Sequence, residues 1–299
     1  MQFASFTLIF LFLPITMLLF YLTPNRWKRE VMLGISLLFL CSGGWLAAAV
    51  EILLTALTYG AGLLLEHLRQ RKHLSRLVLT GSILLHFGAL LLLRSDWLFS
   101  LKAGWFSGKS LFPLGLAFFT LQSVGYCIDV FRGKIHGEKN WRQLGLYLLF
   151  YPRLIMGPVV SYSVAVKSLC TPVFDIARVG QGLLRFLVGL GKKLILANWL
   201  GMLFQTLCQA DTGTYSLMLV WLGAFAQLMT LYLELSGYAD MAIGLGLCYG
   251  VRLPESFGKS LFYPSMVAFA DQWNRTVVQW FSHYVGTHFR GKNHFLYLF

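Results

Sequence analysis

"LYLLFYPRLIMGPVVSY", residues 146–162, decides how the chain is read. It is an apolar run about as long as the shortest membrane-crossing helices. Yet Pro152, Arg153, Gly157 and Pro158 sit inside it. Proline removes a backbone donor and breaks or kinks a helix. At membrane depth such a break is tolerated only where it is buried in protein or lines a wet cavity. The stretch therefore predicts a broken helix inside a bundle of intact ones, facing a cavity.

The surroundings agree. The 299 residues are 57% hydrophobic and 12% charged, about half the charged share of a soluble domain, which points to an integral membrane protein. Upstream, apolar spans are predicted at 4–23, at 31–66 (too long for one helix and divisible at "CSGGW", 41–45), at 76–93 and at 111–128. Downstream, spans at 179–204 and 214–235 precede a short apolar piece at 238–250. Only helices satisfy their own backbone in lipid over runs of this kind. The fold class is all-α: a polytopic integral membrane bundle with broken and re-entrant helices around a central cavity. One domain, 1–299, is expected, with N-terminal spans over 1–143 and a core of broken helices over 144–299.

The net charge of +13 does not indicate nucleic acid. Basic residues cluster in gaps between spans, at 24–30, 67–76 and 129–143, as the positive-inside bias produces. Counting crossings puts these three loops on one side, in the cytoplasm, with the N-terminus opposite. The loop 94–110 carries Arg94, Asp96, Lys102 and Lys109. The first 23 residues lack a basic leader and a small-residue cleavage pattern, so they read as a retained span. The five cysteines are scattered, without metal or redox spacing.

Several motifs fail on inspection. The "GKS" triplets at 108–110 and 258–260 have Ala103 and Leu253 where a phosphate-binding loop needs glycine. "GLGLCYG" (244–250) has the wrong spacing for a dinucleotide fingerprint, and Gly246 and Gly250 instead suggest close helix packing. No G-x-S-x-G is present. His67, His73 and His136 fall in basic loops, and His86 reads as a satisfied core histidine. His283, His288 and His294, spaced by five and six, do not make a helical metal pair, so no metal is expected.

Two polar islands remain. "YLELSGYADMAIG" (232–244) holds Glu234, Ser236, Tyr238 and Asp240 between apolar stretches. Acids in a span are costly and usually face a partner or a wet cavity; a loop at the interface is the other reading. "ADQWNRTVVQWFSHYV" (270–285) is amphipathic at helical spacing. Trp273, Val277, Trp280 and Tyr284 form one stripe, Arg275, Gln279 and Ser282 another, and Asp271 stands four residues before Arg275, the favourable order for an ion pair. Asn274 lies beside the apolar stripe. Periodicity alone leaves both an interfacial anchor helix and a site open.

Taken in order, these segments resemble the membrane-bound O-acyltransferase (MBOAT) family, in the bacterial branch of alginate O-acetylation proteins and D-alanyl transferases of lipoteichoic acid. "PLGLAFFTLQSVGYCIDVFRGK" (113–134) is similar to that branch's "PLGISFYTFQ…YxIDVYRG", and "FYPRLIMGPVVSY" (150–162) to "FPQLIAGPIVRY". "VGLGKKLILANWL" (188–200) resembles "GLFKKVVIADNL", and "LELSGYADMAIGLG" (233–246) resembles "FDFSGYSDMAIGLG". Residues 252–285 follow the stretch from "FPENFNxPY" to "FWRRWHISLSxWFRDYV". Asn274 stands at the motif histidine's position, where other members carry asparagine, and "DQW" (271–273) replaces "RRW".

The resemblance implies O-acyl transfer, with acetyl the expected group. The donor is a cytoplasmic acyl thioester such as acetyl-CoA, no bound cofactor is needed, and the acceptor is a hydroxyl on an exported envelope polysaccharide such as alginate. It implies a multi-pass protein of the bacterial inner membrane, working beside a separate periplasmic or surface-facing transferase. Asn274 would hold the donor carbonyl or the developing oxyanion. Trp273, Arg275, Trp280, Ser236, Tyr238, Asp240, Pro152, Arg153, Gly157 and Pro158 would line the cavity. The family's catalytic histidine, within a later "GLWHG" span, has no match in the chain, and His294 does not fit that motif. The chain is therefore expected to be C-terminally incomplete and inactive alone, the other reading being a non-catalytic scaffold or partner-binding protein.

Overall fold

The computed structural model describes residues 5–94, 115–170, 175–209, 216–258 and 263–286. The loop 94–110, His288 and His294 lie wholly or almost wholly outside them. Among the described residues every regular element is helical. The first half comprises α1 (Leu8–Leu22), α2 (Lys28–Gly43), α3 (Trp45–His67), α4 (Lys72–Arg94) and α5 (Leu116–Phe131). The long apolar region 31–66 does divide within "CSGGW", at Gly44.

The segment around 146–162 is broken into α6 (Trp141–Leu149), α7 (Tyr151–Leu154) and α8 (Tyr162–Cys170). Residues 155–161 between them are irregular but not left unsatisfied. The Gly157 N–H donates to the Arg153 carbonyl (3.0 Å). The Val159 N–H donates to Thr276 Oγ1 (3.2 Å), and the Val160 carbonyl accepts from the Tyr147 hydroxyl (2.8 Å). Irregular backbone persists here because side chains replace the helical ladder, as an apolar interior demands. Tyr151 donates its N–H to Ser36 Oγ (3.2 Å), fixing the break against α2.

Two long helices form the second half, α9 (Ile176–Gln209, with a π-helical turn at Lys192–Ala197) and α10 (Leu217–Cys248). Sequence reading ended the second span at 235 and began a separate piece at 238. The helix instead runs unbroken through both, so the interfacial-loop reading of 232–244 fails. The acids need not leave the helix because α9 offers cations: Lys193 pairs with Glu234, and Arg185 and Lys192 pair with Asp240.

The seam between α9 and α10 is made by glycines, though not by Gly246 and Gly250. A Cβ on Gly182 would lie 2.6 Å from the Gly244 carbonyl, and one on Gly189 would lie 2.6 Å from the Gly237 carbonyl. Within each helix the two glycines are seven residues apart, so both contacts fall on one face. Gly250, at φ 73°, lies just past the end of the helix.

Among the described residues, four helices are long and apolar enough to cross a membrane: α3, α4, α9 and α10. The outer faces of α9 and α10 expose Leu184, Leu187, Ile195, Val220, Trp221 and Phe225, an apolar girdle suited to lipid. At one end of the bundle the three basic loops meet. Arg142 lies 3.9 Å from Glu30, His136 Nδ1 is 3.0 Å from Glu66, and the Arg69 guanidinium donates to the Gly133 carbonyl (3.4 Å). The common side expected for these loops is therefore what the chain adopts. His86 is buried between Thr58 Oγ1 (2.9 Å from Nε2) and the Ser82 carbonyl (2.8 Å from Nδ1), a satisfied core histidine.

Candidate active site

The island 270–285 is not one helix. Helix α11 (Met266–Gln272) ends, the chain turns at Trp273 and Asn274, and α12 (Arg275–Tyr284) begins. Asn274 sits at φ 50°, ψ 50°, the one non-glycine residue with positive φ among those described. Asparagine tolerates this left-handed conformation better than most residues, but the position still stores strain and needs support from its surroundings. The turn separates Asp271 from Arg275, so the expected intrahelical pair is absent from the ion pairs of the described residues. It also parts Trp273 from the stripe carrying Trp280 and Tyr284.

Each side of the turn docks on a different wall. Trp273 stacks into an aromatic nest of Tyr232 (ring centroids 5.5 Å apart), Phe257 (6.0 Å) and Phe269 (5.4 Å). Trp280 and Tyr284 are buried against Val124 of α5 and Val159 of the broken segment. Here α5 must present glycine, because a Cβ on Gly125 would come within 2.9 Å of Trp280 Nε1. At the helix end the Tyr284 hydroxyl donates to Asp129 Oδ2 (2.7 Å). Arg132 donates to the carbonyls of His283 and Tyr284 (3.2 Å each), a cation capping a helix C-terminus. Burial, and then the carboxylate accepting its proton, hold the Tyr284 phenol well above its usual range.

The N-terminal end of α12 is tied to an extended strap, residues 252–258. The Ser256 carbonyl accepts from the Arg275 N–H (2.6 Å), and the Ser256 and Thr276 hydroxyls are 3.3 Å apart. Behind the strap is a cavity of about 180 Å³ bounded by Arg185, Lys192, Tyr232, Asp240, Glu255 and Phe257. Arg185 donates through Nε and Nη2 to Asp240 Oδ1 (3.1 and 2.9 Å) and through Nη1 to Glu255 (2.6 Å), with a second contact from Nη2 to the same carboxylate. Lys192 completes the set on Asp240 Oδ2 (2.6 Å). The strap therefore links Asp240, through Arg185 and Glu255, to the turn at Trp273 and Asn274.

The other expected cavity residues are placed less centrally. Pro152 and Arg153 are fully buried; the Arg153 guanidinium lies over the Tyr147 ring (4.8 Å) and donates to the Tyr147 carbonyl. Gly157 and Pro158 are buried in the broken segment, beside the Val159–Thr276 contact. Ser236 is buried with no hydrogen-bond partner for its hydroxyl among the described residues, and Tyr238 lies under Lys193 Nζ (5.6 Å). Sequence reasoning missed Arg185, Glu255, Ser256, Thr276, Asp129 and Tyr284 as site builders. Lys192 and Lys193 precede their acids by 48 and 41 residues, so no local pattern in the sequence hinted at the ion network.

Comparison with known proteins decides the family. Residues 142–296, just over half of the chain, match the model of the membrane-bound O-acyltransferase family. The chain belongs to that family. A probable alginate O-acetylase, AlgI, of Pseudomonas fluorescens is 30% identical over 292 residues, covering 95% of this chain and 56% of that protein. A peptidoglycan O-acetyltransferase of Helicobacter pylori is 26% identical over 205 residues (58% and 38%). A teichoic acid D-alanyltransferase of Bacillus subtilis is 23% identical over 176 residues (58% and 44%). This MBOAT chain thus spans between half and two thirds of the length of the AlgI proteins it matches. The matched region includes the broken segment, the glycine seam and the turn at Asn274.

Proposed function

We propose that the protein takes part in O-acyl transfer, moving an acetyl group from an acyl thioester such as acetyl-CoA to a hydroxyl of an exported envelope polysaccharide, with alginate the favoured acceptor. The observation that carries this reading is Asn274, held left-handed at the apex of a turn whose neighbours Gln272 and Arg275 are hydrogen-bonded to the strap that walls a polar cavity, its side chain making no cap for α12. An amide so placed can donate to the thioester carbonyl. As the acceptor oxygen attacks the carbonyl carbon, charge builds on the carbonyl oxygen and strengthens that hydrogen bond. The tetrahedral species then collapses, the C–S bond breaks, and the thiolate leaves with a proton. A histidine base would take the hydroxyl proton first.

The end bearing the basic loops is proposed as cytoplasmic and as the donor's side, the N-terminus as periplasmic, and the inner membrane of a bacterium as the location. The acceptor is proposed to approach from the opposite face, beside a separate periplasmic or surface-facing transferase.

A loss of the Asn274 amide should cost about a hundredfold in transfer rate, the size typical of one oxyanion donor. Asn274→Ala and Asn274→Gly are both expected to show it, although glycine relieves the backbone strain. Transfer of labelled acetyl to polysaccharide in membranes, normalised to inserted protein, measures the effect. Full activity in Asn274→Gly would sink the assigned role. A second reading rests on the absence of a "GLWHG"-type match among residues 1–299: these residues alone bind donor or partner without turnover. Donor binding without acetyl transfer by residues 1–299 supports it, and turnover by them overturns it.

A further inference from the structure

The turn at Trp273 and Asn274 is bracketed by the strap on both sides. The Gly258 N–H donates to the Gln272 carbonyl (3.2 Å), and the Ser256 carbonyl accepts from the Arg275 N–H (2.6 Å). A non-glycine residue in the left-handed region persists only where its surroundings over-determine it. These two hydrogen bonds can do so only if the strap is itself fixed. The strap has no helical ladder of its own, and Glu255 is its charged link to the bundle.

We propose that Arg185 is a positioning residue for Asn274, acting through Glu255 and the strap; the inference rests on the reading of Asn274 as the donor-binding amide. Arg185 is suited to this because its fork reaches two carboxylates at once. One edge is locked onto Asp240, inside the seam of α9 and α10, and the other reaches out to Glu255. Lys192 holds the second oxygen of Asp240, so the inner pair keeps its geometry. The reference frame for the turn is thus the glycine-packed helix pair, carried outward by one guanidinium. A lysine could not bridge both acids in a fixed plane. The outer carboxylate is half exposed and the inner one mostly covered, so salt screens the outer contact first.

Hydrogen–deuterium exchange on the protein in nanodiscs tests this without reference to catalysis. Glu255→Gln and Arg185→Gln should each speed exchange at the Arg275 amide by about tenfold, the equivalent of one lost hydrogen bond. Glu255→Asp, which keeps the carboxylate, should restore most of the protection. Raising salt to about 1 M should mimic Glu255→Gln in the wild type. Amides of α5 should stay protected throughout, separating loss of the clamp from loss of the fold. In acyl-transfer assays, Arg185→Lys should lower kcat by about tenfold with the donor KM within about twofold, as expected of an interaction that acts on the reacting geometry rather than on uniform binding. Unchanged exchange at Arg275 in both glutamine variants, or equal acceleration across α5, would overturn the proposal. Selective acceleration at Arg275 with unchanged kcat in Arg185→Lys would support the clamp and sink the role assigned to Asn274 instead.

Discussion

Tyr284 and Asp129 show how a single contact can anchor a whole motif helix. The hydroxyl donates to a buried carboxylate whose other oxygen has no partner among the described residues. Tyr284→Phe leaves that carboxylate with neither oxygen bonded, so a loss of about 1–3 kcal/mol is expected, read as a lower Tm in detergent. The phenol's pKa is raised on folding. Its contribution is therefore fully present below the unfolded value of about 10 and is lost only above it. The Tm gap between wild type and Tyr284→Phe should accordingly show no loss from this phenol between about pH 6 and 9. At this scale the sequence was partly legible. Asn274 stood out because it lies in a polar island of an otherwise apolar chain, whereas its supporters did not. Arg185 precedes Asp240 by 55 residues and Glu255 by 70, and no local period links such distant partners. Asp129 was read as the first residue of a basic loop, although it is buried at the end of α5.

Among the elements, intact spans were the most legible and breaks the least. The division of 31–66 and the interruption of 146–162 announced themselves through glycine and proline. The turn inside 270–285 did not, because its apolar stripe continues in register across Trp273 and Asn274 and hides a reversal held by contacts from elsewhere. The acids of α10 misled in the opposite direction: they suggested an interruption, but cations on the neighbouring helix keep them inside one. Which glycines matter was also invisible, since a seam is a property of two helices. Replacing Gly189 or Gly244 by leucine should push α9 from α10 at a cost of about 1–3 kcal/mol or more. The expected result is a lower Tm and exposure of Cys248, which is buried in the wild type, to a thiol reagent. Wild-type melting in both variants would show that the seam tolerates separation.

For the molecule as a whole, charge distribution was the best guide, because the three basic loops do converge on one end. Single cysteines placed at Asn25, Arg71 and Lys134, in a background without the native five, should therefore all react with an impermeant reagent from one side of the membrane. Reaction of any one from the opposite side would contradict that arrangement. The proposed orientation adds that this side is the cytoplasmic one. A larger consequence follows from α9 and α10. With 34 and 32 residues, each extends about 50 Å at 1.5 Å per residue, against a hydrocarbon thickness of about 30 Å. A lone helix would relieve that excess by leaning independently. These two touch backbone to backbone, so neither can lean without the other. The pair must therefore tilt as one plank or draw the lipid surface toward itself, and the thickness of the host membrane becomes a mechanical load on the wall from which Arg185 reaches out.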